Sequence, residues 1–187
     1  MVMCLRQTME KDIPKILFEP VEMDETYIGG QRKNKRLHIR RIQAKRGHGT
    51  DKLPIVGLFS RATGQVYVEV LERKLDVKKI FEIIETFVPI HSKIYTDGFK
   101  MYRGLPAHGY IHEYVDHDGG ELVREDAHTN NIEGFWGILK RKLSCIGGMR
   151  RANLHLFVAE IVWKFNYRRR TLAEQEERLM EIIGGRS

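Results

Sequence analysis

Apolar and polar positions along this chain repeat with two different periods, and each change of period marks a new element. Between Phe18 and Ile28, the residues Val21, Met23, Thr26, Tyr27 and Ile28 predict a strand that Gly29-Gly30 ends. The runs LPIVGLFS and QVYVEVL, separated by RATG, predict a hairpin, with Gly64 available for the positive φ of its turn. The period then becomes helical. In DVKKIFEIIETFV, Val77, Ile80, Phe81, Ile84 and Val88 recur on one face, and Asp76 is placed as N-cap. After Pro89, SKIYTDGF predicts a short strand ending at Asp97-Gly98, MYRGLPAHG a turn of helix and a loop, and YIHEYVDH a further strand. The polar loop DGGELVREDAHTNN leads into a helix that runs from Ile132 until Gly147-Gly148 break it. A long helix over ANLHLFVAEIVWKFNYRRR follows.

Strand, hairpin, helix, strand, strand, helices is the order of an α/β fold whose mixed sheet starts with three antiparallel strands. A ribonuclease-H-like fold, with helices flanking such a sheet, has that order. The expected organisation is a lead-in segment at 1–18, one domain at 19–170, and a charged C-terminal helix or tail at 171–187. A chain of 187 residues, 42% hydrophobic, is long enough to bury a core and fits one domain better than two.

Charge changes the picture more than composition does. The formal net charge is +7, and residues 31–52 alone carry nine Lys or Arg against one acid, a local +8, so the remainder sums to about −1. Basicity confined to one stretch is the footprint of a phosphate-backbone binder. Lys33, Lys35, Arg36, Arg40, Arg41, Lys45 and Arg46 are its candidate contacts, with Lys140 and Arg141 further on. A solvated loop that only aids solubility is the alternative. The cysteines, Cys4 and Cys145, form no C-x-x-C pair, which leaves neither a zinc ribbon nor a disulfide framework. No run of about 18 apolar residues is present, and no signal-peptide pattern opens the chain. A cytoplasmic protein, associated with the nucleoid when bound to DNA, is the expectation.

Three acids stand out in this frame: Asp24 within a strand-like run, Asp97 at a strand's C-terminal edge, and Glu133 in the first turn of a helix. An ionised carboxylate inside a strand is costly without partners, and the C-terminal edges of strands in open α/β sheets commonly carry function. Asp97-Gly98 is equally an ordinary turn signature, and Glu133 equally suits a helix dipole. Gathered together, the three would suit hard divalent cations, and two such ions about 4 Å apart activate and stabilise the oxygens of a phosphoryl displacement. Lys140, seven residues beyond Glu133, lies two turns on along the same helical face and could hold a phosphate beside that centre.

VEMDETYIGG followed by a basic stretch, IYTDGFKMYRGL, and HTNNIEGFWGILKRKL resemble the corresponding motifs of DDE-type insertion-sequence transposases of the ISXO-like group, over about residues 19 to 167. The resemblance implies a ribonuclease-H-like catalytic core, two Mg2+ or Mn2+ ions per site, and DNA cleavage and strand transfer at transposon ends. It assigns Asp24, Asp97 and Glu133 as the catalytic, metal-binding triad and Lys140 as the downstream basic residue. It also implies transposon-end and target DNA as partners, a homodimer or higher oligomer, and no membrane. Relatives usually carry an N-terminal zinc ribbon or helix-turn-helix. Only 23 residues precede Asp24 here, so that recognition segment is expected to be missing.

His128 falls in the matched motif, either near the metal centre or as a loop residue; some relatives use asparagine for the third acid, and Asn130 and Asn131 both stand close by, with Asn130 taken as the candidate beside the metal site and Glu133 kept well ahead of either. Phe135 and Trp136 are read as core residues ahead of base-stacking ones. A catalytically silent DNA-binding remnant, or a ribonuclease-H-like nuclease without strand transfer, are the other readings.

Overall fold

The computed structural model describes residues 2–29, 52–72, 75–97, 100–115, 128–146 and 150–185. Its centre is a five-stranded sheet built from β1 (Val21–Ile28), β2 (Leu53–Ser60), β3 (Val66–Val70), β4 (Lys93–Asp97) and β5 (Ile111–Val115). The spatial order is β3-β2-β1-β4-β5. β1, β2 and β3 are antiparallel neighbours, whereas β4 runs parallel to β1 and β5 parallel to β4. This mixed sheet with an antiparallel three-stranded start is the ribonuclease-H-like arrangement that the element order predicts.

Strand alternation sorts side chains into two cores. Val56 and Leu58 of β2 join Val21 and Met23 of β1 on one face, under α2 (Val77–Phe87). Leu53, Ile55 and Phe59 point the other way, under α3 (Asn130–Ser144) and α4 (Leu154–Asn166). Since β2 is buried along its whole length, its sequence reads as a continuous apolar run and not an alternating one. α2 buries Ile80, Phe81, Ile83, Ile84 and Phe87, and the Asp76 carboxylate accepts from the Lys78 amide at 3.1 Å, so the expected N-cap is present. α3 turns Ile132, Phe135, Trp136, Leu139 and Leu143 inward, a stripe at helical spacing that docks the helix on β1 and β2.

Two helices end earlier than their sequence patterns predict, and α3 also starts two residues before the expected Ile132. α3 ends at Ser144, and α4 begins at Leu154 after a single 3-10 turn, Arg151–Asn153. α4 stops at Asn166 because its end is used for other bonds. Asn166 exchanges hydrogen bonds with both backbone groups of Val66 (2.8 and 2.9 Å), and Arg168 folds back to donate to the carbonyls of Phe165 and Gly64. Lys100–His108 form one 3-10 helix instead of a helical turn and a loop, with Pro106 inside it. The lead-in contains α1 (Val2–Lys11), and α5 (Leu172–Ile183) starts at a Thr171–Glu174 capping box. Asp12 accepts from Trp163, Tyr167 and Arg178, fastening the end of α1 to α4 and α5. No helix among the described residues is long and apolar enough to cross a membrane.

Candidate active site

Asp24 sits in the middle of β1, opposite Gly57 in the β1–β2 ladder. Alternation points it toward α3, the side that Glu22 and Thr26 share. Gly57 is needed there: a Cβ at this position would lie 2.5 Å from Trp136 Cη2 and 2.6 Å from Cζ2. The missing side chain makes room for the indole, whose Nε1 donates to Asp24 Oδ2 at 2.9 Å. The Glu25 amide donates to Oδ1 at 2.8 Å. Trp136 is therefore the packing residue expected, 4% exposed, and in addition a donor to the strand acid, a role that its sequence pattern does not reveal.

Asp97 closes β4 at its C-terminal edge. The parallel pairing of β1 with β4 sets Val21 beside Ile94 and Glu22 beside Tyr95. Two residues further along each strand stand Asp24 and Asp97, on the same face of the sheet. Glu133 lies in the first turn of α3, exposed, and accepts from the Thr129 hydroxyl at 2.9 Å.

Asp24 feels both of the other acids. Burial is the main cause that pushes the Asp24 carboxyl up, to about 6, and the negative charges of Asp97 and Glu133 add to it, against the pull of the Glu25 and Trp136 donors. Glu25 points to the opposite face, where it accepts a hydrogen bond from the buried Tyr102 hydroxyl. It is pushed up to about 7, by burial first and then by Asp97 and Asp24. Among the described residues, no three His, Cys, Asp or Glu side chains are gathered closely enough to hold a metal ion as they stand. The donor chemistry nevertheless fits one. Carboxylate oxygens are the ligands hard dications prefer, and the mutual repulsion at Asp24 is what a cation would relieve.

The other expected residues fall in different places. Lys140 and Arg141 are exposed on α3. Lys33, Lys35, Arg36, Arg40, Arg41, Lys45 and Arg46 lie outside the described residues. Asn130 is the exposed first residue of α3, while its neighbour Asn131 reaches Glu22 with its Nδ2 at 2.7 Å. His128 lies before the helix, with Arg61 donating to its carbonyl and standing 3.1 Å from its Nδ1. Sequence reasoning misses Glu22 and Arg61. One signal is legible: Glu22 is an acid placed between two core residues, Val21 and Met23, at the start of a buried strand. His108 meets Glu85 and His112 meets Thr96.

A sheet in the order β3-β2-β1-β4-β5, covered by helices on both faces and with acids on its central strand and the parallel strand beside it, defines a ribonuclease-H-like domain. Residues 16–166 match the ISXO2-like transposase domain family. The chain belongs to that family, a group of DDE-type insertion-sequence transposases. It is 32% identical over 152 residues to a protein of the transposable element ISH50 from Halobacterium salinarum, a match covering 76% of this chain and 51% of that one. The chain thus spans about half the length of that relative. A transposase-like protein from Haemophilus influenzae is 29% identical over 87 residues, 46% of this chain and 70% of the relative. Among solved structures, the HTLV-2 integrase catalytic core domain in complex with magnesium aligns over 82% of this chain and 86% of that one, at 12% identity and TM-score 0.43. The simian T-cell lymphotropic virus intasome in complex with PP2A regulatory subunit B56 gamma aligns over 81% of this chain and 48% of that one, at 13% identity and TM-score 0.47.

Proposed function

We propose that this chain carries out metal-dependent DNA cleavage and strand transfer at insertion-sequence ends, with residues 19–170 as the catalytic unit and Asp24, Asp97 and Glu133 as its acids. The observation that carries the reading is the setting of Asp24 on the central strand. A carboxylate that is buried, and in addition faces the like charges of Asp97 and Glu133, is disfavoured in the bare fold and is suited to a site that binds dications.

Asp24, Asp97 and Glu133 would hold Mg2+ or Mn2+. When bound, two such ions would supply activation of the attacking oxygen and stabilisation of the leaving oxygen. The chain's own groups do the rest. The Trp136 indole orients Asp24, the Thr129 hydroxyl orients Glu133, and Lys140, on the exposed face of the same helix, holds a DNA phosphate. Lys33, Lys35, Arg36, Arg40, Arg41, Lys45 and Arg46 extend the contact along the backbone. Pairing of two transposon ends calls for a homodimer or higher oligomer, acting in the cytoplasm on nucleoid DNA.

Supercoiled plasmid incubated with the protein and MnCl2 tests the reading. Wild type should nick it and produce joined species, and Asp24→Asn should lose at least a hundredfold in rate while retaining DNA binding. Undiminished nicking in that variant would remove Asp24 from the chemistry. Nicked products without joined ones would reduce the activity to that of a nuclease.

A further inference from the structure

The acids proposed above lie on three separate elements, and one buried ion pair joins all three. The Glu22 side chain is 0% exposed. It accepts from Arg61 Nε at 2.7 Å, from Asn131 Nδ2 at 2.7 Å, from the Asn131 amide at 2.9 Å and from the Ile132 amide at 3.0 Å. The last two are first-turn amides of α3, which have no partner within the helix. Glu22 therefore supplies from β1 what a helix start lacks, a carboxylate at its positive end. Arg61, in the turn after β2, completes the joint. Its guanidinium lies 4.1 Å from the centre of the Tyr95 ring on β4, and it also donates to the carbonyl of His128 ahead of α3.

The spacing within this joint gives it a purpose. Glu22 is two residues before Asp24 on β1, Tyr95 two before Asp97 on β4, and Asn131 two before Glu133 on α3. On a strand, two residues further is the next side chain on the same face. On a helix, two residues further remains within the same turn. One anchor thus fixes the three backbones immediately upstream of all three acids.

We infer that Glu22, paired with Arg61, is the positioning residue that sets Glu133 against Asp24 and Asp97. The apolar stripe of α3, from the buried Ile132 onward, holds the helix on the sheet by contacts that are non-directional. Four directed hydrogen bonds on a buried carboxylate resist a slide or rotation of the helix's first turn. Glu22 touches none of the reacting groups in this reading.

The inference rests on the proposed metal site, and its test separates the two. The whole chain is used, with Mn2+ as the probe, its free ion counted by EPR, and with amide exchange at Asn131 and Ile132 read by NMR. In Glu22→Gln, exchange protection of the Ile132 amide should fall at least tenfold while the rest of the sheet keeps its protection. Mn2+ binding should weaken about tenfold, as expected for a residue supporting a metal ligand. The same change made in a Glu133→Gln background should weaken Mn2+ binding far less, because the group being positioned is already gone. Should Glu22→Gln fail to fold, Asn131→Ala, which removes one exposed-edge bond, should show the same pattern at smaller amplitude. Unchanged protection overturns the inference, and so does equal weakening in both backgrounds. If wild type and Asp24→Asn bind Mn2+ alike, the metal reading falls by itself. Exchange then decides the anchor: lost protection upholds it and retained protection overturns it.

Discussion

The Trp136 indole nitrogen donates to Asp24 Oδ2 at 2.9 Å, across the face of β2 where Gly57 leaves the room. A hydrogen bond to a charged group is worth about 1.5–3 kcal/mol, and this one favours the ionised carboxylate. Trp136→Phe keeps much of the ring and removes the donor. The Asp24 carboxyl, already at about 6, should titrate higher still, followed by carboxyl-carbon NMR. A midpoint equal to wild type would show that the indole does not govern Asp24.

Stability should fall with rising pH across a window that most proteins tolerate well. Asp24 and Glu25 are raised to about 6 and about 7 from ordinary values of 3.8 and 4.5. At these two groups the folded chain therefore binds more protons than the unfolded one between roughly pH 4 and 7, and the stability they contribute is fully present below that window and lost as pH climbs through it. The Asp24 contribution is on the order of 3 kcal/mol. Urea unfolding from pH 5 to 8 should show the decline, and Asp24→Asn should flatten it. An equally steep decline in that variant would assign the loss to other groups. Added Mn2+ should restore more stability at pH 8 than at pH 5.5.

Asp12 runs the other way. Burial opposes its charge, but hydrogen bonds from Arg178, Trp163 and Tyr167 and the Arg178 charge hold it below the usual carboxylate range. Its stabilisation is present above about pH 4 and is lost as acid protonates it. Asp12→Ala leaves the Trp163 and Tyr167 donors unpaired and should cost about 3 kcal/mol, read by urea denaturation at pH 7. The difference from wild type should shrink near pH 3. A constant difference at both pH values would mean that lost packing, and not charge, set the cost.

How much of this is legible in the sequence follows from the range of each contact. Local signals are clear. Asp76 ahead of an apolar-periodic run announces α2, and the two apolar runs flanking RATG announce β2 and β3. Asp24 stands out as a charge set where a strand's apolar pattern leaves no reason for one, whereas Asp97, at a strand's end with Gly98 after it, reads equally as a turn. The Glu22–Arg61–Asn131 joint stays hidden, since it links positions 39 and 109 residues apart and leaves no periodicity in either segment. Motif reading favours Asn130 over Asn131. On a helix, one residue is a rotation of about 100°, and that rotation decides which of the two amides reaches Glu22. The sequence pattern places the end of α4 too late, because Asn166 and Arg168 continue a helical text with side chains committed elsewhere.

Lys140→Ala should leave the fold unchanged, as the residue is exposed on α3. DNA affinity should drop about equally for unrelated sequences, and the salt dependence should lessen by about one unit of slope. Fluorescence anisotropy with a duplex from 50 to 200 mM salt measures both. An unaltered slope would place Lys140 away from the DNA backbone.

Gly57→Ala should be the most damaging small substitution on β2. Its Cβ would meet two indole carbons and, at 2.9 Å, Ile132 Cδ1, so α3 must shift, at a cost of about 1–3 kcal/mol. Thermal melting reads the cost. A wild-type melting temperature together with an unmoved Asp24 titration would contradict it.

That glycine carries no functional group, takes no part in holding metal or DNA, and lies in the interior of a strand. A saturation survey scored on activity would nonetheless rank position 57 beside the acids, since every other residue displaces the indole from Asp24. Intolerance at this position would mark the seat of a neighbour, and a chemist searching such a survey for reactive groups should look one strand across from the position that scores.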